Sequence, residues 1–253
     1  MKICHLITGL ENGGAEAVLY RLVLGDNENK HIIISLKDLG FYGPNLLKNN
    51  IEVYSINFSS FSLFKFIKLL KIIKEIKPGI LHCWMYHSNL IGALLSFFLK
   101  NTKLYWSIHN LAIGFKQLNI FTFFLVRLSA FFTYFCVEKV VYVSEATLLK
   151  HCSIGFRKNN NVIIHNGVNT LIYKSDSERK IKIRNNLNLK RDQILIGMVA
   201  RYDPVKEHEL FFKAINILIK KGYKDLKVLL IGIGMDNENN KLIHLLNKYE
   251  IRD

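Results

Sequence analysis

Apolar residues along the chain fall into short runs of strand length, rich in Ile and Val, separated by stretches of helical length. The runs are Lys2–Ile7, His31–Leu36, Ile51–Ile56, Ile80–Cys83, Lys103–Ile108, Lys139–Val143 and Val162–His165. Strands alternating with helix-length segments predict a doubly wound parallel α/β sheet. A polar, charged stretch from Asn169 to Arg191 breaks the pattern, which restarts with Ile194–Ala200 and Lys227–Ile231 and ends in an expected helix from Glu238 to Tyr249. The expected organisation is one domain over 1–168, a hinge or linker over 169–191, and a second domain of the same kind over 192–253. A doubly wound half normally has about five or six strands, so the second domain, with two clear ones, is expected to be incomplete.

The restart contains the chain's most suggestive stretch, Ile194 to Leu218. Its apolar strand leads into Asp203-Pro204, an N-cap acid followed by the fixed φ of proline, which predicts a helix start. Leu210, Phe211, Ala214, Ile215 and Leu218 recur at helical spacing and predict the face that packs on the sheet. Lys206 is thereby expected in or near the first helical turn and Arg201 at the strand's carboxyl end, where backbone N–H groups and the helix dipole favour an anion. The pair reads as a diphosphate cradle, or as two solvated loop cations in a chain full of cations.

Half of the 253 residues are hydrophobic, which provides a sizeable core and argues against disorder. Thirty-five Lys and Arg against twenty Asp and Glu give +15, which admits nucleic acid, an anionic membrane face or a phosphorylated substrate as partner. No RNA-binding or zinc motif is present, so nucleic acid is not expected as a partner. Cys4, Cys83, Cys136 and Cys152 lack C-x-x-C spacing and read as reduced core cysteines of a cytoplasmic protein. The N-terminal apolar run is too short for a secretory signal. Leu118–Val137 approaches bilayer length but carries Arg127 at its centre, and is expected to be a buried or membrane-grazing helix. Phe61–Lys77 spaces Lys65, Lys68, Lys71 and Lys74 around a basic amphipathic helix, opposite Phe64 and Ile67. It suits either a solvated helix face or an anionic membrane surface.

Ligands of parallel sheets gather at the carboxyl ends of the strands. After the first run comes Thr8 to Glu16, in which Gly13 and Gly14 allow close backbone approach at a helix start, or simply turn the chain. The loop lacks G-x-G-x-x-G spacing and is only weak support for a dinucleotide site. His82 and His109 end the fourth and fifth runs, where imidazoles bond sugar hydroxyls, titrate, or serve as structural hydrogen bonders. Ser144-Glu145 reads as an ordinary helix cap. H-E-x-x-H, D-x-D and G-x-S-x-G are all absent, so metalloprotease, metal-bound nucleotide-sugar and serine-hydrolase readings lack support.

Together ITGLENGGAE at the start, VSE before a helix, IIHNGVNTLIY and VARYDPVKEHELFFKA resemble family-four glycosyltransferases of the GT-B fold, over nearly the whole chain and in the family's order. The resemblance implies two Rossmann-like doubly wound domains, the first on the acceptor side and the second, incomplete one binding the nucleotide sugar. The implied reaction moves a sugar from a nucleoside-diphosphate donor, UDP-linked by expectation, to a glycan or lipid-linked acceptor of bacterial surface polysaccharide, with retention. By resemblance Arg201 and Lys206 offset the charge of the departing diphosphate, a task that otherwise falls to a metal, so neither metal nor cofactor is expected. His109 falls near the transferred sugar, Gly13 and Gly14 near the donor phosphates and the acceptor, Asn166 and Gly167 at the crossing between domains, and Gly232 and Gly234 in a second loop on the nucleotide side.

Two departures stand out. Glu207 occupies a position where the family usually has glycine, which sets a negative charge beside the diphosphate. The family's later pair of glutamates would fall beyond Asp253, so the chain is expected to be a truncated or split form, completed by a complementary C-terminal fragment or catalytically incomplete. The expected location is cytoplasmic, peripheral on the inner face of the membrane. A nucleotide-sugar epimerase on the same fold is a further alternative.

Overall fold

The computed structural model describes residues 1–58, 62–111, 120–223 and 225–251. Phe61, Leu118 and Asn119, at the starts of the two segments read for membrane contact, lie outside the described residues. The chain forms two compact units, Met1–Asn169 and Thr170–Asp253.

The first unit runs β1 (Lys2–Ile7), α1 (Gly14–Gly25), β2 (Lys30–Ser35), α2 (Gly43–Lys48), β3 (Glu52–Ser55), α3 (Leu63–Ile76), β4 (Ile80–Trp84), α4 (Tyr86–Ser96), β5 (Lys103–Ile108), α5 (Ile120–Phe132), β6 (Lys139–Tyr142), α6 (Glu145–Ser153) and β7 (Asn161–Ile163). Its strands pair in parallel in the order β3-β2-β1-β4-β5-β6-β7. The order reverses between β1 and β4, so the connections leaving these neighbours diverge and open a crevice at their carboxyl ends. Side-chain alternation along each strand splits the core in two. Cys4, Leu6, Ile34, Cys83 and Trp106 face the helices α3, α4 and α5, whereas Ile7, Ile33 and Trp84 join Leu19 of α1 and Leu46 of α2 on the opposite face.

In α3 the buried positions are Leu69, Ile73 and Ile76. Phe64 and Ile67 are instead exposed, on the outer surface with Lys68, Lys71 and Lys74, so the expected opposition of lysines and apolar residues is corrected. The sheet takes the larger apolar face and leaves these two outside. Helix α5 buries Val126, Ser129 and Ala130, and its central Arg127 lies on the surface, donating from Nη1 to Ile154 O at 2.6 Å. Among the described residues no helix is long and apolar enough to cross a membrane. Ser144 caps α6, accepting from the Thr147 N–H at 3.2 Å.

The second unit comprises α7 (Ser177–Asn186), β8 (Ile194–Val199), a 3-10 turn (Pro204–Lys206), α8 (His208–Lys220), β9 (Leu226–Ile231) and α9 (Asn240–Lys248). Strands β8 and β9 pair in parallel with Ile194 opposite Leu226 and Val199 opposite Ile231. Helix α8 starts later than the sequence pattern predicts. Asp203 does cap, accepting from the Val205 N–H at 3.0 Å, but it caps the 3-10 turn, and Glu207 then adopts a left-handed conformation (φ 54°, ψ 43°) before α8 begins. His208, Phe212 and Ile215 are buried, while Leu210 and Ala214 from the expected face are exposed.

Candidate functional site

The crevice of the first unit is built by the loops after β1, β2, β4 and β5. Gly13 precedes α1, and a Cβ there would press on the Glu16 carboxylate, whereas a Cβ on Gly14 would meet nothing within 4 Å. The backbone at Gly14 is therefore open to a ligand. Lys37, just past β2, lays its side chain over Gly9, with Cδ 3.3 Å from where a glycine Cβ would stand. Met85, just past β4, holds φ 74° and ψ 156°, a region nearly restricted to glycine. Strain of this kind costs about 1–3 kcal/mol and marks a backbone aimed for a purpose. The Thr8 hydroxyl lies 3.1 Å from that of Ser88 and ties the glycine loop to the first turn of α4. A cavity of about 280 Å³ lies between these loops, lined by Gly9, Glu11, Lys37, Met85 and Asn110 among others. An apolar cavity of about 500 Å³ shares Thr8, Lys37 and His87 with it.

Behind this crevice a row of imidazoles crosses one face of the sheet. His5, His82, Trp84 and Ser107 share that face by strand parity, since His5 pairs in register with His82, and Trp84 with Ser107. The Trp84 indole N–H can only donate, and it reaches His5 Nδ1 at 3.2 Å. His5 Nε2 must then carry the proton and donate to His31 Nδ1 at 2.9 Å, leaving His31 Nε2–H to face Asp26 Oδ2 at 3.1 Å. The row thus fixes the plane of Trp84, on which the His109 ring stacks at 5.3 Å and 19°. Burial, with the neighbouring His82 and His31, holds His5 well below its ordinary range. Burial chiefly depresses His82 to about 3 and His109 to about 4, so these rings are neutral at physiological pH. His109 Nδ1 is buried with no hydrogen-bond partner among the described residues. Such an orphaned atom is costly unless a ligand satisfies it.

In the second unit the loops after β8 and β9 are built against each other. Ala200 N–H donates to Ile231 O at 2.9 Å and Tyr202 N–H to Ile233 O at 2.8 Å. Gly232 has φ 151°, and a Cβ there would fall 2.1 Å from Ala200 O; Gly234 has φ 75° and lies against Tyr202. Glycine is obligatory at the first position, because any side chain would drive the Arg201 loop away. The Arg201 guanidinium is engaged through Nε and Nη2 by Asp203 Oδ2 at 3.1 and 2.9 Å. That carboxyl is held below its ordinary range, first by the Val205 N–H and then by Arg201. The clasp orients the guanidinium and leaves its Nη1 edge for a second anion. His208, buried in the first turn of α8 beside Tyr202, has no partner for Nε2 among the described residues.

The sequence-predicted residues divide between the units. Gly13, Gly14 and His109 belong to loops around the first crevice, while Arg201, Lys206, Gly232 and Gly234 belong to the paired loops of the second unit. His82 stands behind Trp84 and spends Nε2 on Ser107 Oγ at 2.8 Å, so within this unit it supports the row. Asn166 and Gly167 are exposed on the segment after β7. Lys37, Met85 and His208 were not singled out by sequence, and Asp203 was read there as a helix cap and not as the partner of Arg201. Of the other three only Lys37 carried a signal, as the cation that follows a strand end. Among the described residues no group of His, Cys, Asp and Glu could hold a metal ion.

The architecture is that of a GT-B glycosyltransferase: this chain spans about two thirds of the length of similar solved structures. It covers 100% of itself and 67% of Anabaena HepE, crystallised with UDP-glucose, at TM-score 0.81 and 18% identity. A glycosyltransferase from Rickettsia africae is matched over 100% of this chain and 66% of its own, at TM-score 0.72 and 19% identity. Sucrose-phosphate synthase from Thermosynechococcus elongatus is matched over 100% and 69%, at TM-score 0.74 and 16% identity. No curated protein matches the chain. Residues 12–170 match the model of Glycosyltransferase Family 4, and the chain belongs to that family.

Proposed function

We propose that the chain transfers a sugar from a UDP-linked donor to a glycan or lipid-linked acceptor of bacterial surface polysaccharide, with the anomeric configuration retained. The observation that carries this reading is the paired-loop construction of the second unit, in which Gly232 lets the Arg201 loop close against the loop after β9. HepE, of the same fold, was crystallised with UDP-glucose, which supports a uridine nucleotide as donor. In this reading Arg201, oriented by Asp203, and Lys206 neutralise the diphosphate as the sugar departs, supplying charge where it develops. His109, neutral and with Nδ1 unpartnered among the described residues, accepts or donates one hydrogen bond at the sugar. The open backbone at Gly14 admits the phosphates or the acceptor, and Asn166 and Gly167 lie on the exposed segment that leads from the first unit to the second. The first unit is the acceptor side and works peripherally at the inner face of the membrane, with the second binding the nucleotide sugar.

The test is sugar transfer by the full chain from UDP-glucose to a membrane extract, with product anomers read by NMR. Arg201→Ala and Lys206→Ala are each expected to lower kcat/KM by roughly a hundredfold, the scale of losing one charge-stabilising donor. Near-normal kcat/KM in both variants contradicts the assignment. Product formed without any acceptor would instead favour an epimerase.

A further inference from the structure

The core between the first sheet and the helices α1 and α2 is apolar apart from one diagonal. Ile7, Leu19, Ile33 and Leu46 pack there with Trp84. By strand parity His5 and His31 share that face with Ile7 and Ile33, and they are only 1% and 5% accessible. Aliphatic residues at both positions would fill the space with no polar atom to satisfy. Replacing buried hydrogen-bonding partners together by apolar groups of the same shape is close to neutral for stability. Stability alone therefore does not call for two buried imidazoles, and their use lies at the end of the diagonal that reaches the crevice.

The diagonal is a directed chain of donors. The Trp84 indole N–H reaches His5 Nδ1 at 3.2 Å, and His5 Nε2 reaches His31 Nδ1 at 2.9 Å. Because an indole only donates, a single tautomer of His5 satisfies both neighbours. Bonds aligned in one direction polarise one another, which strengthens the hold on the indole. His82, tied to Ser107 Oγ at 2.8 Å, backs the same indole with ring centroids 4.7 Å apart. His109 stacks on this indole at 5.3 Å and 19°, and its Nδ1 has no hydrogen-bond partner among the described residues. Its ring is thus placed by the stack.

We propose that His5 is a positioning residue for His109: its hydrogen bond fixes the Trp84 indole, and the indole fixes the imidazole that meets the sugar. The proposal rests on the glycosyl-transfer reading and adds to it a buried residue that lines neither cavity of the crevice. A misplacement of about 1 Å costs up to about a hundredfold in rate, so a loosened His109 lowers turnover more than it lowers donor binding.

The titration of His109 reports where its ring lies. Burial holds it at about 4 in place, and a ring released to solvent returns toward 6.5. The neighbouring His82, at about 3, stays neutral over that range. His109 is followed by NMR in the full chain with isotope-labelled histidine. His5→Leu and Trp84→Phe are each expected to raise its pKa at least halfway to the ordinary value. His5→Gln, whose amide accepts at one end and donates at the other, is expected to leave it unmoved. Trp84→Phe keeps an aromatic ring and loses the N–H, so it carries the test even where His5→Leu fails to fold. In transfer from UDP-glucose to a membrane extract, His5→Leu is expected to lower kcat about tenfold with the donor KM within about twofold, and His5→Gln to recover kcat. Wild-type titration of His109 in both His5→Leu and Trp84→Phe would overturn the proposal, and so would release of the ring in His5→Gln. A released ring with normal kcat, where His109→Ala lowers kcat, would overturn the positioning role. Normal kcat in His109→Ala would count against the reading of His109 at the sugar, while release of the ring in His5→Leu would still support the hold of His5 on it.

Discussion

Glu207 is the residue whose replacement separates backbone strain from charge in the cationic loop. It holds φ 54° and ψ 43°, and a left-handed conformation costs an L-residue about 1–2 kcal/mol. Glu207→Gly removes that cost but returns about 0.5–1 kcal/mol as entropy of the unfolded chain. The net expectation is stabilisation of about 0.5–1 kcal/mol, whereas Glu207→Ala keeps the strain and gains nothing. Both variants remove one negative charge beside Lys206. In water-like dielectric such a charge, several ångströms from a ligand, is worth about 0.5–1 kcal/mol per unit of ligand charge. UDP carries more than one negative charge on its diphosphate, so both are expected to bind it at least about fivefold more tightly at low salt, with the gain shrinking as salt rises. Trp84 and Trp106 are the chain's two tryptophans and both lie in the first unit, so indole fluorescence does not report on this loop. Hydrogen exchange of the α8 amides does. Glycine is expected to slow exchange and alanine to leave it unchanged or faster. Slower exchange in alanine than in glycine would refute the strain argument, and unchanged UDP affinity in both would refute the electrostatic one.

The buried imidazoles make the first unit acid-sensitive. His82 is depressed to about 3 and His109 and His151 to about 4 from an ordinary 6.5, in each case chiefly by burial. The unfolded chain takes up these protons below pH 6.5 and the folded chain does not, so stability present above 6.5 is lost as pH falls toward 4. For His151, fully buried between Tyr86 and Thr147, the loss approaches about 3 kcal/mol at pH 4. The urea midpoint of tryptophan fluorescence is expected to fall between pH 7.5 and 5.5, and to fall less in His151→Gln; equal midpoints at the two pH values would contradict this. Gly232→Ala is expected to destabilise the pairing of β8 and β9 by about 3 kcal/mol or more, since its Cβ would lie 2.1 Å from Ala200 O. Gly197→Ala, whose Cβ would meet nothing nearer than 3.8 Å, is the tolerated control, and exchange protection of β9 reads both.

The strands were legible because a parallel sheet covered on both faces needs continuous apolar runs. Those runs locate β1 through β9 to within about two residues, including the restart after Asn169. The face of α8 was read in part: Ile215 is buried and Phe211 and Leu218 half-buried as expected, but the contact centres on His208, Phe212 and Ile215 and leaves Leu210 and Ala214 outside, a choice made by docking rather than by spacing. Likewise the pattern of α3 shows an amphipathic helix but not which apolar residues the sheet selects, and Phe64 and Ile67 stay outside. The imidazole row was invisible for another reason. His5, His31 and His82 are remote in sequence and meet only through strand register, which the order of the strands decides. The apolar cavity required still more, since its wall comes from α4, α5 and the loops after β1, β2 and β3.

The central claim is that the second unit holds a nucleoside diphosphate through Arg201 and Lys206. Titrating the full chain with UDP and with uridine tests it without depending on turnover. UDP is expected to bind at least about tenfold more tightly, with the difference falling as salt rises and vanishing in the Arg201→Ala/Lys206→Ala double variant. Equal affinity for the two ligands, or a double variant that keeps the full preference for UDP, would contradict the account.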